Sequence, residues 1–205
     1  MPNTIKPATI EEYRGITDLV CAEVTKDDSS GYETGPVFEI AGVSELTRST
    51  STSSETHYYN NKAAISISGA GGDEVKINTS AIPMDALAKI TGQIYDEETG
   101  TLYEGQPANK YYAIGYKTKK TSGAEIYVWR LKGTFSVPDE THKTETDGTD
   151  ADGQELTYSG IETTHKFAKN NRSEKAINVD TSVKGIPTDF FASVTTPDTL
   201  TFGTV

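Results

Sequence analysis

Threonine is the feature of this sequence that most restricts its fold. Thirty of the 205 residues are threonine, and they alternate with valine, isoleucine and tyrosine rather than recurring at helical spacing. Threonine is β-branched and favours extended backbone, and a two-residue alternation is typical of a strand with one buried face. The chain is therefore predicted to be mainly β, a largely antiparallel sheet system with one packed helix.

Several segments carry this strand pattern. The predicted strands cover Asp18 to Thr25, Val37 to Val43, Ala63 to Ser68, Leu156 to Phe167 and Ala176 to Val183, with a short hairpin around the turn Asp96 to Gly100. The clearest element is a core hairpin of Lys110 to Lys120 and Glu125 to Val137, joined at Thr121 to Gly123. Its side chains are predicted to form two apolar faces: Tyr112, Ile114 and Tyr116 on the first strand, and Tyr127, Trp129, Leu131 and Phe135 on the second.

One helix is predicted from Pro83 to Thr91. Proline suits a first helical turn, Asp85 lies at the positive end of the helix dipole, and Gly92 is a typical residue after a helix end. The buried stripe is predicted to contain Ile82, Ala86, Leu87 and Ile90.

The whole chain, residues 1–205, is predicted to be a single domain with long appendages. These are an extended N-terminal arm, a long hairpin at about residues 43–68, an acidic loop at about residues 138–155 and an extended tail from Thr195 to Val205. The solvated tip of the hairpin is predicted to be Arg48 to Asn61, and its first part, Arg48 to Glu55, is almost purely serine and threonine. The tip and the acidic loop from Pro138 to Gly153 are predicted to make contacts between copies of the chain. Loops of this length are usually functional.

Charge and composition exclude several classes of protein. The formal net charge is -11, which disfavours a DNA-gripping role because such a surface repels polyphosphate. Cys21 is the single cysteine, so an internal disulfide and a cysteine cage for a metal are excluded, and it is expected to be a buried apolar residue on a strand. The first ten residues resemble no signal peptide, and no stretch has the length of a membrane span.

No catalytic, cofactor-binding or metal-binding residues are predicted. His57, His142 and His165 have no metal or triad spacing, and Gly69 to Gly72 is followed by acidic residues where a phosphate loop needs lysine, which favours a turn or bulge. Asp147 to Gly153 departs from the calcium-loop pattern at its first and last ligand positions. An aromatic platform for sugars would use Tyr58, Tyr59, Tyr111, Tyr112, Tyr127 and Trp129, although Trp129 lies mid-strand, where a core position is commoner.

Charge is arranged in blocks along the chain. Six cations lie on the core hairpin: Lys110, Lys117, Lys119, Lys120, Arg130 and Lys132. The segment from Glu11 to Glu45 and the loop after the hairpin are acidic. Two interpretations stay open: an unpatterned solvated surface, or complementary patches through which copies of the chain meet.

The core hairpin resembles the major tail protein family of long-tailed bacteriophages. The resemblance lies in Tyr111 to Lys117 and Tyr127 to Phe135, and extends in order through Tyr59 to Lys62, Met84 to Ile90, Thr99-Gly100 and Gly148 to Gln154. It covers well over half of the chain.

This resemblance implies a tail-tube subunit with an antiparallel β-sandwich or barrel, one flanking helix and long assembly loops. It implies self-association into six-membered rings that stack into a tube, with tape-measure, tail-tip and terminator proteins as further partners. DNA would pass through the lumen, expected to be negatively charged, without specific binding. The protein would be made in the bacterial cytoplasm and reside in the virion tail, with no membrane and no cofactor. The alternatives are a carbohydrate-binding β-sandwich module of a phage or cell surface, and a hydrolase.

Overall fold

The computed structural model describes residues 10–142 and 153–203 of the chain. The secondary-structure elements, in chain order, are β1 (Tyr13–Asp28), β2 (Gly31–Thr34), β3 (Phe38–Glu39), β4 (Val43–Tyr59), β5 (Lys62–Thr79), α1 (Met84–Thr91), β6 (Ile94–Asp96), β7 (Thr101–Tyr103), β8 (Tyr112–Lys120), β9 (Glu125–Phe135), β10 (Gln154–Gly160), β11 (Ala176–Asp180) and α2 (Thr181–Lys184). The prediction of a mainly β chain with one packed helix is confirmed. Helix α1 packs into the core, whereas the four-residue helix α2 buries none of its residues.

The strands form one nine-stranded antiparallel sheet. Its order is β2-β1-β8-β9-β10-β5-β4, with β3 added to β1, β11 added to β9, and β6–β7 standing apart as a small hairpin. The sheet curls until β1 and β4 come together, and Ile16 and Leu46 pack in the same apolar cluster. These two strands do not pair in the described chain, so the expected sandwich or barrel is an open, curled sheet.

The first core lies on the concave face of this sheet beneath α1. It contains Cys21, Ile77, Ile114 and Tyr158 among its fully buried side chains. Helix α1 begins after Pro83 and ends at Gly92, whose φ of 71° is in the left-handed region that glycine adopts without strain. The predicted stripe Ile82, Ala86, Leu87 and Ile90 is buried, which confirms the helix, and Cys21 is buried on β1 as expected.

The second core lies on the opposite face and is covered by the C-terminal segment. Trp129 is fully buried, and its indole Nε1 donates a 2.7 Å hydrogen bond to the carbonyl of Phe190. Four residues of β9 were predicted to share one face. Tyr127, Trp129 and Leu131 do pack with the second core, but the prediction is wrong for Phe135, which packs with the first core. Tyr112 pairs with Gly133 and Ile114 with Arg130, so an extra β9 residue lies between these pairs. This bulge exchanges the two faces of β9.

Three predicted segments differ at their ends. Strand β10 stops at Gly160, seven residues before the expected end at Phe167. Strand β11 stops at Asp180, because that carboxylate accepts a hydrogen bond from the amide of Ser182 and begins α2. The tail expected to be extended turns at Thr196 to Thr199, and Leu200 and Phe202 then pack against the second core.

The long hairpin is longer than predicted, and only the last two residues of the predicted tip form its turn. It runs from Val43 to Thr79, and Arg48 to Glu55 lies inside β4 rather than at the turn. The turn is Asn60-Asn61, with φ of 52° and 60°, the left-handed pair typical of a tight two-residue hairpin. Serine and threonine offer no apolar face to detect, but their backbone pairs as well as any other in a strand.

Gly133 is packed where a side chain would not fit. A Cβ atom built there would lie 2.5 Å from the carbonyl oxygen of Ser159 and against the ring of Tyr158. We expect Gly133→Ala to lower the free energy of unfolding by roughly 1–3 kcal/mol through overpacking. Urea denaturation followed by the fluorescence of Trp129 measures this. Gly105→Ala is the matched control, because a Cβ at Gly105 meets nothing within 4 Å; equal stability of the two variants would contradict the prediction.

Candidate functional site

The outer part of the β4–β5 hairpin projects beyond the sheet. Strand β10 pairs with β5 only from Asp73 to Thr79. Residues 51–72 therefore form a two-stranded extension of β4 and β5 with no third strand beside it in the described chain, here called the ribbon. The β5 half of the ribbon, residues 62–72, spans about 35 Å at strand spacing. An isolated two-stranded hairpin is marginally stable in water, so the ribbon is suited to gain its stability from a partner surface.

A β-bulge marks the point where the ribbon leaves the body of the protein. Thr50 pairs with Asp73 and Thr52 with Ala70, so Ser51 faces two residues, Gly71 and Gly72. The predicted turn or bulge at Gly69 to Gly72 is therefore a bulge within β5. A Cβ at Gly72 would lie 2.8 Å from the carbonyl oxygen of Gly160, so glycine permits the close approach of β10 here.

The outer edge of β4 has no strand partner in the described chain. Along its 17 residues it carries no proline and no lysine, two residues that protect exposed edges, and its charged residues are Glu45, Arg48 and Glu55. Near its turn the ribbon also exposes Tyr59 and Ile65, at 60% and 50% of their surface. Such an edge is able to add a strand from another polypeptide.

A buried ion pair anchors the base of the ribbon. Arg130 on β9 and Asp73 on β5 are each 6% exposed and form a charged hydrogen bond. Thr50 donates a 2.8 Å hydrogen bond to the same carboxylate, and Arg48 lies 3.6 Å from it. Burial raises the pKa of Asp73, but the hydrogen bond of Thr50 and the charges of Arg130, Arg48 and Lys175 outweigh it and leave that pKa lowered.

The cations of the core hairpin are neutralised within the chain. Each of the six has an acidic partner, in the pairs Lys110–Glu23, Lys117–Asp18, Lys119–Glu125, Lys120–Asp180, Arg130–Asp73 and Lys132–Asp27. Three of these acids lie on β1 and the other three on β5, β9 and β11, so the basic block on β8 and β9 is neutralised within the same molecule. A patch between copies is therefore not needed to account for the charges of these six cations.

Asp27 is the most extensively bonded of these acids. Its carboxylate accepts a 2.5 Å hydrogen bond from Lys132 Nζ and bonds of 2.8 Å from the amides of Thr164 and His165. Burial raises its pKa, while these bonds lower it by more, so the net pKa of Asp27 is lowered. The side chain joins the end of β1 to the loop after β10, a contact 137 residues apart in the sequence.

Stability is expected to decrease at acid pH because of these carboxylates. The pKa of Asp180 is lowered to about 2, first by its hydrogen bond from Lys120, and those of Asp27 and Asp73 are also lowered. A lowered pKa contributes stability above the ordinary aspartate value of about 3.9, and this stability is lost as the pH falls through the folded-state pKa. Thermal unfolding measured by circular dichroism should give a falling Tm between about pH 4 and 2. Asp27→Asn should make this fall in Tm smaller, because it removes one of the titrating carboxylates. A Tm of the parent chain that stays constant over this pH range would contradict the prediction.

The other sequence candidates do not assemble into a site. Tyr112 and Trp129 are buried, so the proposed aromatic platform does not form. His57 lies on β4, His142 is exposed near Glu140, and the ring of His165 packs edge-on against Phe167. Within residues 10–142 and 153–203, no group of histidine, cysteine, aspartate or glutamate could hold a metal ion. In the same part of the chain, no helix is long and apolar enough to cross a membrane.

Two predicted appendages fall largely outside the described residues. These are the N-terminal arm before Ile10 and residues 143–152 of the acidic loop, which include most of the Asp147 to Gly153 run. The two ends of the acidic loop do meet, because the Asp139 amide donates a 3.2 Å hydrogen bond to the carbonyl of Glu155. Its role in contacts between copies stays a prediction.

Comparison with known families identifies a matching family model. Residues 13–182 match the family model described as "Phage tail tube protein", and this range contains the whole sheet, α1, the ribbon and the first two residues of α2. A search of curated proteins gives no match.

Proposed function

The chain belongs to the phage tail tube protein family, structural and non-enzymatic proteins of the virion tail, and from this premise we propose that it forms six-membered rings that stack into a tube conducting DNA. The observation that carries the proposal is the edge of β4, which has no strand partner in the described chain and runs out along the ribbon. An edge of this kind adds strands from neighbouring copies, and main-chain hydrogen bonds supply the affinity.

Ring formation requires a contact between two different surfaces of the subunit. A head-to-tail contact closes into a ring when its rotation divides the circle evenly. The sheet offers β4 at one end and β2 and β3 at the other, which are different edges and so suit a contact of this type. The ribbon then reaches past its own subunit onto the next copy or the next ring.

The net charge supports passage of DNA without binding. Attractive contacts to phosphate would be multiplied at each ring and would retain the duplex, because affinity grows with the number of phosphates neutralised. A net charge of -11, with the six core-hairpin cations already paired, favours a repelling lumen wall. Tape-measure, tail-tip and terminator proteins are the further partners we propose, bound at the inside and the ends of the tube.

The experiment that tests the proposal is assembly of the purified chain without a cofactor. Negative-stain microscopy across increasing protein concentration should show rings with six subunits and, at higher concentration, tubes. Analytical ultracentrifugation should show the corresponding species growing at the expense of the monomer. A protein that stays monomeric at about millimolar concentration, both alone and with preformed tail tips as seeds, would reject the proposal.

A further inference from the structure

The small β6–β7 hairpin stands apart from the main sheet and has only two strands. In the described chain β6 pairs only with β7, from Ile94 opposite Tyr103 to Asp96 opposite Thr101. Both outer edges of the hairpin are therefore without a strand partner among the described residues. Two strands alone are marginally stable in water, and a third strand adds main-chain hydrogen bonds, so this hairpin is suited to accept one.

One face of the hairpin is fixed to the body of the protein. Leu102 packs against the first core, and α1 contacts both strands. The Asp96 carboxylate closes the turn, because it accepts hydrogen bonds of 2.9 and 3.3 Å from the amides of Glu98 and Thr99. Its carbonyl also accepts a 2.8 Å bond from the Gly100 amide. The hairpin thus holds its opposite face in a fixed geometry, and an ordered surface loses less entropy when it binds a partner.

The opposite face carries an exposed apolar pair. Ile94 and Tyr103 are directly opposed on the two strands, so their side chains are neighbours on one face of the hairpin. They are 70% and 56% exposed, whereas Leu102, on the other face, is partly buried. Covering the pair removes apolar surface from water, which favours a partner that brings apolar side chains to this face.

Unpaired negative charge surrounds this apolar pair. Residues 93–109 contain no lysine, arginine or histidine and four acids: Asp96, Glu97, Glu98 and Glu104. Glu97 and Glu98 lie in the turn at one end of the strands, and Glu104 follows β7 at the other end. Within the described part of the chain, none of the four acids forms an ion pair. The charge therefore favours an occupant with a cation at each end of an apolar centre.

A second copy of the chain is a poor source of these cations. Lys89 and Lys110 line the groove between the hairpin and α1, but they are already paired with Asp85 and Glu23. The six cations of the core hairpin are paired within the subunit as well. Because the chain has a net charge of -11, a second copy is repelled overall by an acidic face, whereas a cationic segment of another protein is attracted.

We propose that the exposed face of the β6–β7 hairpin binds an extended segment of a different protein, with apolar side chains at its centre and lysine or arginine at both ends. The segment adds to the hairpin as a third strand, and its central side chains cover Ile94 and Tyr103. Its terminal cations reach acids that are separated by about 10 Å, the length of three strand residues. This contact goes beyond the proposed tube, because it needs neither rings nor the edge of β4.

A defined peptide tests the chemistry of the site. The probe is a fluorescent peptide of sequence Lys-Lys-Val-Thr-Ile-Thr-Val-Lys-Lys, which is titrated with the full chain at concentrations where the protein is monomeric and followed by anisotropy. We expect saturable binding that weakens as salt is raised. Replacing every lysine by glutamate, or valine and isoleucine by serine, should weaken binding at least about tenfold. No saturable binding, or equal binding of either altered peptide, would overturn the proposal.

Matched apolar variants locate the binding face. Ile94→Ser with Tyr103→Ser removes the exposed pair and should weaken binding of the lysine peptide at least about tenfold. Val183→Ser with Ile186→Ser removes two side chains that are 85% and 64% exposed near α2, and should leave binding unchanged. Circular dichroism checks that each variant is folded. Equal binding by the two double variants would show that the peptide binds elsewhere and would reject this face.

Matched charge variants test the role of the acids. Glu97→Gln with Glu98→Gln should weaken peptide binding and reduce its dependence on salt, because two attracting charges are removed. Glu12→Gln with Glu162→Gln removes two exposed acids outside the hairpin and should change neither property. The same salt dependence for both double variants would contradict the proposed recognition by charge.

Tube formation distinguishes a separate partner from a second copy. The chain with Ile94→Ser and Tyr103→Ser should form tubes like the parent chain, as observed by negative-stain microscopy and analytical ultracentrifugation. A folded variant that loses tubes would show that this face contacts another copy, and would overturn the proposal of a different protein. If the parent chain formed no tubes, the proposed function would fail, whereas this contact would still be decided by peptide binding.

Discussion

A chain whose ribbon is cut back is expected to fold as a subunit and to lose tube formation. The change replaces Ser53–Gly69 by Asn-Gly, which joins the paired residues Thr52 and Ala70 through a tight turn. None of the described side chains from Ser49 to Gly72 belongs to a core cluster, so the body should keep its stability. Assembly should fall below detection, because the free strand edge that reaches a neighbour is removed.

The measurements for the cut-back ribbon are urea denaturation of the monomer and negative-stain microscopy of concentrated protein. Asn61→Gly is the matched control, because glycine keeps the left-handed φ of the turn and the full ribbon remains. This control should assemble like the parent chain. Normal tubes from the cut-back chain would show that the ribbon is dispensable and would move the assembly contact to another surface.

Arg130→Met is expected to cause the largest loss of stability among single substitutions at the base of the ribbon. It leaves the Asp73 carboxylate, 6% exposed, without its closest cation. Breaking one side of a buried ion pair usually costs about 3–5 kcal/mol. The lower end of this range is expected here, because Arg48 and Thr50 stay beside the Asp73 carboxylate. The ribbon should also lose its fixed direction, since Asp73 ties Thr50 and Arg48 of β4 to β9.

The double variant Asp73→Asn with Arg130→Met separates the pair from the lost charge. Because it removes both buried charges, it should be less destabilised than Arg130→Met alone. Lys26→Met is the matched control, since Lys26 and Glu33 form an exposed pair worth at most about 1 kcal/mol. Urea denaturation followed by the fluorescence of Trp129 gives the free energy of unfolding of all three variants. A loss from Arg130→Met as small as that from Lys26→Met would contradict the buried pair.

The elements with strong local signals were predictable from the sequence. Pro83 and Gly92 bound the helix as expected, and the alternation of Tyr112, Ile114 and Tyr116 places these side chains on the concave face. The β8–β9 hairpin also has its predicted turn. In each case the information is local, since it lies in residues a few positions apart whose backbone preference or periodicity agrees with the final structure.

The base of the ribbon could not be predicted because its partners are distant in sequence. Asp73 and Arg130 are 57 residues apart, and in the sequence each is one charge among many. The acidic and basic blocks were visible, but whether they pair within one chain or between copies depends on the order of strands, which places β1 beside β8.

The sequence by itself determined that this chain is a polar, mainly β protein with one packed helix and a resemblance to tail-tube subunits. Local periodicity and residue type are enough for those conclusions. The tertiary structure decided where the serine- and threonine-rich strand lies, which acids neutralise the core cations, and that β1 and β4 come together without pairing in the described chain. Register, bulges and long-range ion pairs depend on how strands meet, and a change of one residue in pairing moves a side chain to the other face.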